Sequence, residues 1–157
     1  MIPLDKIVLA SSNSAKLKEL QDILAPRNIE LIPQSEFEIE DAVEDGLSFV
    51  ENAIIKARHA SAIAKLPAIA DDSGLEVDFL NGQPGIYSSR FAGESATDQD
   101  NIDKLLNKLE GINPDQRKAR FQCVLVYMRH ELDPTPIICQ GTWQGSITEI
   151  MHGENGF

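Results

Sequence analysis

The feature that most constrains this chain is its opening pattern. A short apolar run is followed by a polar turn, an amphipathic stretch and a second apolar run. Ile7-Val8-Leu9-Ala10 reads as a buried strand and Ser11-Ser12-Asn13-Ser14 as a turn. A helix is predicted from about Ala15, because Leu17, Leu20, Ile23 and Leu24 recur on one face. Pro26 stops it, and Ile29-Glu30-Leu31-Ile32 reads as the next strand. This is a β-α-β unit, the seed of a partly parallel sheet, and it sets the class as α/β. With 157 residues, 42% of them hydrophobic, the chain has the size and core of one domain.

The same punctuation continues. An acidic loop (Glu36, Glu38, Glu40, Asp41, Glu44, Asp45) precedes Ser48 and Glu51, which form a capping box for a helix running to about Lys65. Pro67 breaks that helix. Ala68-Ile69-Ala70 reads as a buried strand ending at Asp71-Asp72-Ser73-Gly74, and Leu75 to Phe79 as a separate half-exposed strand. Asn81-Gly82 and Pro84-Gly85 mark turns. Thr97 caps a further helix with Ile102, Leu105, Leu106 and Leu109 inward and Gly111 just past its end. Strands are predicted over Ala119 to Tyr127, Pro136 to Thr142 and Ser146 to Ile150.

Charge bounds the partners. A net charge of −11 repels nucleic-acid backbones and anionic membrane surfaces, so neither is expected as a partner. An anionic substrate then requires local cations or a metal. Cys123 and Cys139 lie in apolar stretches outside any CxxC pair, and are expected as buried free thiols of a reducing compartment. The start, Met1-Ile2-Pro3-Leu4-Asp5-Lys6, lacks a signal-peptide core, and no apolar run reaches membrane-spanning length. The expected location is cytoplasmic.

Four groups of residues carry candidate chemistry. Ser11-Ser12-Asn13-Ser14-Ala15-Lys16 joins a strand to a helix N-terminus, where free N–H groups, small polar side chains and a lysine suit a phosphate. The same residues also fit an ordinary capped surface helix, and they are no Walker loop. Asp71 and Asp72 are hard oxygen ligands of the kind Mg²⁺ uses beside substrate phosphates, and one could activate a water. A turn with two solvated acids is the alternative. Glu44 and its neighbours in the acidic loop could complete a metal site, or the loop could simply be solvated. Asn52 and Lys56 share a helix face and could meet phosphate or water. His59, His130 and His152 show no metal-ligand spacing and are expected in structural or surface roles. Taken together, the groups describe metal-assisted hydrolysis at a phosphate.

In their order along the chain these motifs resemble the inosine triphosphate pyrophosphatase family, bacterial type. The matching segments are Leu9 to Lys16, Phe49 to Ala57, Ala70 to Leu75, Pro84 to Phe91 and Gly153 to Phe157. The resemblance implies an elongated two-lobed α/β fold around a long curved mixed β-sheet with flanking helices, a cleft between the lobes, and a homodimer. It implies Mg²⁺-dependent cleavage of the purine nucleotides ITP, dITP and XTP to monophosphate and pyrophosphate, which cleans the nucleotide pool. By position, the loop Ser11–Lys16, chiefly Asn13 and Lys16, would hold the triphosphate with Asn52 and Lys56. Glu44 and Asp72 would bind Mg²⁺ with Asp71 in support, Asp72 would accept the proton of the attacking water, and Ser73 would contact substrate.

The family pattern continues past Gly156-Phe157 with Gly-Tyr-Asp-Pro, a lysine and a Ser-His-Arg segment. Residues 1–157 are therefore expected to form a single domain of this type, incomplete at its C-terminus. Two other readings stay open: a catalytically silent nucleotide-binding or dimerising module, and a pyrophosphatase for other modified nucleotides.

Overall fold

A computed structural model describes residues 5–153. The expectations for Met1 to Leu4, and for the motif at 154–157, lie outside the described residues. Among the described residues, five strands form one mixed sheet in the order β2-β1-β3-β4-β5. They are β1 (Lys6–Leu9), β2 (Glu30–Pro33), β3 (Ala68–Val77), β4 (Lys118–Met128) and β5 (Ile137–Ser146), with helices α1 (Ser14–Leu24), α2 (Phe49–Ala64) and α3 (Asp98–Lys108). β1 runs parallel to β2, Lys6 to Leu9 facing Glu30 to Pro33, and parallel to β3 through Val8–Ala68 and Leu9–Ile69. The α/β class and the opening β-α-β unit stand as read from sequence.

The chain divides into two compact units, the first made of residues up to Asp72 with Val124–Gln140, the second of Ser73–Cys123 with the residues from Gly141 on. In the first unit α2 lays Ala53, Ala57 and Ala60 on Val8, Ala10, Ala68, Ala70, Val124, Val126 and Met128. The spacing puts the three alanines on one helical face, and their small size lets the helix backbone approach the sheet closely. Ser48 caps α2 by accepting from Glu51 N at 3.3 Å, while the Glu51 carboxylate accepts from Ser48 Oγ at 2.6 Å and Leu47 N at 3.1 Å. Lys65, in left-handed geometry (φ 55°), ends the helix before Pro67.

In the second unit α3 places Leu105 and Leu109 against Leu75, Val77 and Ala119. Thr97 and Asp100 form a reciprocal capping box at its start. Arg117, 4% exposed, donates to the carbonyls of Leu109, Ile147 and Thr148 at 2.7, 2.8 and 2.7 Å. It closes the C-terminal end of α3 with a planar fork of donors.

Several expectations are corrected. The Asp-Asp-Ser-Gly segment is not a turn at a strand end: β3 runs unbroken from Ala68 to Val77, and the segment lies inside it. Its parallel neighbour β1 stops at Leu9, opposite Ile69, so Asp71 and Asp72 lie just beyond the carboxyl end of β1. No separate strand runs from Ser146 to Ile150: Ser146 ends β5, and the Ile147 and Thr148 carbonyls turn to Arg117 instead of a ladder. Ile23 is 67% exposed, on the solvent flank of α1. Cys123 and Cys139 are free but exposed, not buried. Cys123 alternates with buried Val124 on β4, and β5 is an edge strand exposed at all ten residues. An apolar neighbourhood in sequence buries a strand residue only when something covers its face.

Candidate active site

The turn after β1 is built by Asn13. Its Oδ1 accepts from Ala15 N at 2.9 Å and Lys16 N at 3.2 Å, and its own N–H donates to Ser11 Oγ at 3.1 Å. Asn13 is thus the N-cap of α1 and satisfies two of the amides at the helix start. Ser12, Asn13, Ser14 and Ala15 are exposed around that terminus, with Ser11 and Lys16 half-buried.

The two aspartates part company. Neighbours in a strand point to opposite faces. Asp71, 6% exposed, receives Lys16 Nζ of α1 at 2.5 Å, whereas Asp72 receives Lys56 Nζ of α2 at 3.2 Å. Lys56 Nζ also lies 3.2 Å from Glu44 Oε2. Glu44 and Asp72, 28 positions apart in sequence, therefore meet on one ammonium group, their oxygens separated by at most twice 3.2 Å. Burial pushes the Asp72 carboxyl above its ordinary value. The Lys56 charge and hydrogen bond oppose that, the Glu44 charge adds to it, and the nearby Asn52 amide favours ionisation. Asn52 is fully buried on α2, and its Nδ2 and Asp72 Oδ2 are buried without any hydrogen bond of proper geometry. Ser73, next on β3, is exposed.

One face of α2 holds the acidic loop. Asn52, Lys56 and His59 recur at helical spacing. Asn52 Oδ1 accepts from Gly46 N at 2.9 Å, Lys56 pairs with Glu44, and His59 Nε2 donates to the Glu40 carbonyl at 3.0 Å. His59 thus has the structural role expected of it. Gln34, 5% exposed, donates to Asp41 Oδ1 at 2.6 Å.

These parts enclose a cavity of about 140 Å³ lined by Ser11, Ser12, Gln34, Asp41, Ala42, Glu44 and Lys56. Whole small-molecule pockets run to about 300–1,000 Å³, so this one suits a phosphate and an ion, not a nucleoside. A larger open depression of about 740 Å³ lies along α3. Three of its charged groups are already committed, Asp100 to the Thr97 cap, Asp103 to Gln99 and Lys104 to the Phe91 carbonyl. No sequence motif marks Gln34; Asp41 is one of the acidic-loop neighbours of Glu44, and the structure sets it against Gln34. Gly46 had a signal, a glycine between an acidic run and a capping box.

Among the described residues no cluster of three or more His, Cys, Asp or Glu side chains is arranged for a metal. The acid pair still fits a hard divalent cation. Both partners are carboxylates, they already share a cationic group, and Asp72 Oδ2 is a buried acceptor without a well-formed hydrogen bond. Mg²⁺ is commonly held by one or two carboxylates with substrate phosphates and water completing the shell.

Fold and site define an α/β protein with a lysine-bridged carboxylate pair beside a capped helix N-terminus. A family model described as the Ham1 family matches residues 7–157, and the chain belongs to that family. It is 58% identical over 154 residues to a Photobacterium profundum protein named dITP/XTP pyrophosphatase, across 98% of this chain and 78% of that protein. Of the solved structures, it superposes on a HAM1 protein from Coxiella burnetii with a TM-score of 0.91 and 51% identity, covering 100% of this chain and 78% of that one. The Staphylococcus aureus Ham1 protein gives a TM-score of 0.84 at 43% identity, covering 97% and 77%. No helix among the described residues is long and apolar enough to cross a membrane.

Proposed function

We propose that this chain is a nucleoside triphosphate pyrophosphatase that converts ITP, dITP and XTP to the monophosphate and pyrophosphate with Mg²⁺. The observation that carries the reading is the meeting of Glu44 and Asp72 on Lys56, next to the Ser11–Lys16 turn. The names of relatives more than half identical to this chain support the reaction and the substrate class.

Glu44 and Asp72 would hold the Mg²⁺, which supplies Lewis-acid charge neutralisation at the phosphates when bound. Lys16 and Lys56, each now paired to an aspartate, would turn toward phosphate oxygens and balance their charge. Asp71, which holds Lys16 in this structure, would support the site indirectly by orienting that lysine. Asp72 would take the proton of the attacking water, its carboxylate lying with Glu44 around Lys56. Ser11, Ser12, Asn13, Ser14 and Ala15 would frame the phosphates at the α1 terminus, and Ser73 would meet the substrate beyond Asp72.

The same reading makes the enzyme a cytoplasmic homodimer acting on the free nucleotide pool. The exposed apolar side chains of β5, Ile137, Ile138 and Trp143, support association of copies. Pyrophosphate release from ITP, XTP and ATP with Mg²⁺ tests the assignment. Release from ITP and XTP but not ATP is expected, and equal turnover of ATP or a pyrimidine triphosphate overturns it.

A further inference from the structure

We propose that Asn52 is a positioning residue whose amide oxygen fixes the acidic loop through Gly46 and whose amide nitrogen faces the second oxygen of Asp72, setting Glu44 and Asp72 at a common cation. The inference rests on the proposed function for its metal and goes beyond it in assigning how the site is assembled.

Three observations carry it. First, the amide orientation is determined. Gly46 N is a donor, so the Asn52 atom 2.9 Å from it must be the oxygen, which leaves Nδ2 as a pure donor. That donor is buried and unbonded, as is the Asp72 Oδ2 acceptor, and Asn52 itself has no exposed surface. Two complementary buried groups without other partners carry a cost that their mutual approach relieves.

Second, the loop lies so close to α2 that only glycine fits at position 46. A Cβ there would stand 2.6 Å from Asn52 Oδ1 and 2.7 Å from Glu51 Cβ. Gly46 is not in left-handed geometry, so close approach and not backbone freedom is the requirement.

Third, the tie falls where it matters. Gly46 is two residues after Glu44, and Asn52 is one helical turn before Lys56. The loop is fixed at both ends, by Asn52 at Gly46 and by His59 at Glu40, and Glu44 lies between them. Asn52 has no exposed surface and does not line the cavity that Glu44, Lys56 and Ser11 share. Groups that orient metal ligands in this way are typically worth about 10- to 100-fold in metal affinity.

The test uses the whole chain with Mn²⁺ standing in for Mg²⁺, since both take oxygen ligands. Mn²⁺ binding is read by electron paramagnetic resonance, ITP binding in EDTA by calorimetry, and pyrophosphate release by a coupled assay. In Asn52→Ala, Mn²⁺ affinity is expected to fall about 10- to 100-fold, with metal-free ITP affinity unchanged. Gly46→Ala keeps Asn52 but displaces the loop, and is expected to show the same loss of Mn²⁺ affinity. Should Asn52→Ala not fold, Gly46→Ala decides alone. Wild-type Mn²⁺ affinity in the variants overturns the proposal, as does loss of metal-free ITP affinity with Mn²⁺ binding intact, which would make Asn52 a phosphate contact. If the wild-type chain binds Mn²⁺ but releases no pyrophosphate from ITP, the functional reading fails while the Mn²⁺ comparison still judges Asn52.

Discussion

Lys16 and Asp71 lie 55 positions apart in sequence, yet Lys16 Nζ sits 2.5 Å from Asp71 Oδ2. The contact joins the first turn of α1 to β3 just beyond the carboxyl end of β1. It also separates Asp71 from Asp72: adjacent acids on one strand are each matched by a lysine from a different helix.

That separation makes Asp72 the acid whose loss should stop the chemistry. Asp72→Asn keeps the shape of the side chain and removes the base. Pyrophosphate release from ITP is expected to fall about 100- to 10,000-fold, with the melting temperature near that of wild type. A variant with wild-type turnover removes Asp72 from this role.

Lys56 is the shared counter-cation of Glu44 and Asp72, and its side chain is only 17% exposed. Lys56→Met leaves two carboxylates facing one another. In EDTA it should lose about 1–3 kcal/mol of stability, or about 2–4 °C of melting temperature per kcal/mol for a chain of this size. Millimolar Mg²⁺ should recover part of that loss, because a ligand that binds only the folded state stabilises it. Equal melting curves with and without Mg²⁺ would count against a metal at this pair.

Acid should act on the first unit through Asp133, 1% exposed and gripped by Arg129 Nε at 2.8 Å and Nη2 at 2.5 Å. The Arg129 hydrogen bond holds this carboxyl far below the usual carboxylate range, with burial opposing. Its contribution is fully present above the unfolded value, about 3.9, and is lost as pH falls through the lower folded value. Asp133→Asn should therefore be less stable than wild type at pH 7, with the gap closing below about pH 4. Urea unfolding across that range measures it. A gap independent of pH would assign the effect to packing.

Arg117 offers a test in the second unit. Arg117→Lys retains the charge, but one ammonium cannot serve the carbonyls of Leu109, Ile147 and Thr148 together. The variant should lose at least one such bond, about 1.5–3 kcal/mol, read as a lower melting temperature. Unchanged stability would show that the fork is dispensable.

Much of this protein was legible along the chain. The β-α-β start, the Ser48 and Thr97 caps and the breaks at Pro26 and Pro67 are local matters of backbone geometry and periodicity. They speak through neighbouring residues, and they appear where expected. The acids and lysines could likewise be named in advance, because their chemistry belongs to the side chain. Their pairing could not. Whether Asp71 faces Lys16 or Lys56 depends on the strand continuing through Asp-Asp-Ser-Gly, and on which helix covers which side. The exposure of Cys123 and Cys139 likewise depends on which faces of β4 and β5 are left uncovered. The tie between Gly46 and Asn52 exists only because loop and helix pack in contact. Sequence alone determined the chemical groups and the elements with local caps and breaks; the tertiary structure decided where β3 runs on and which groups meet, because contact between distant residues is set by packing, which no local pattern encodes.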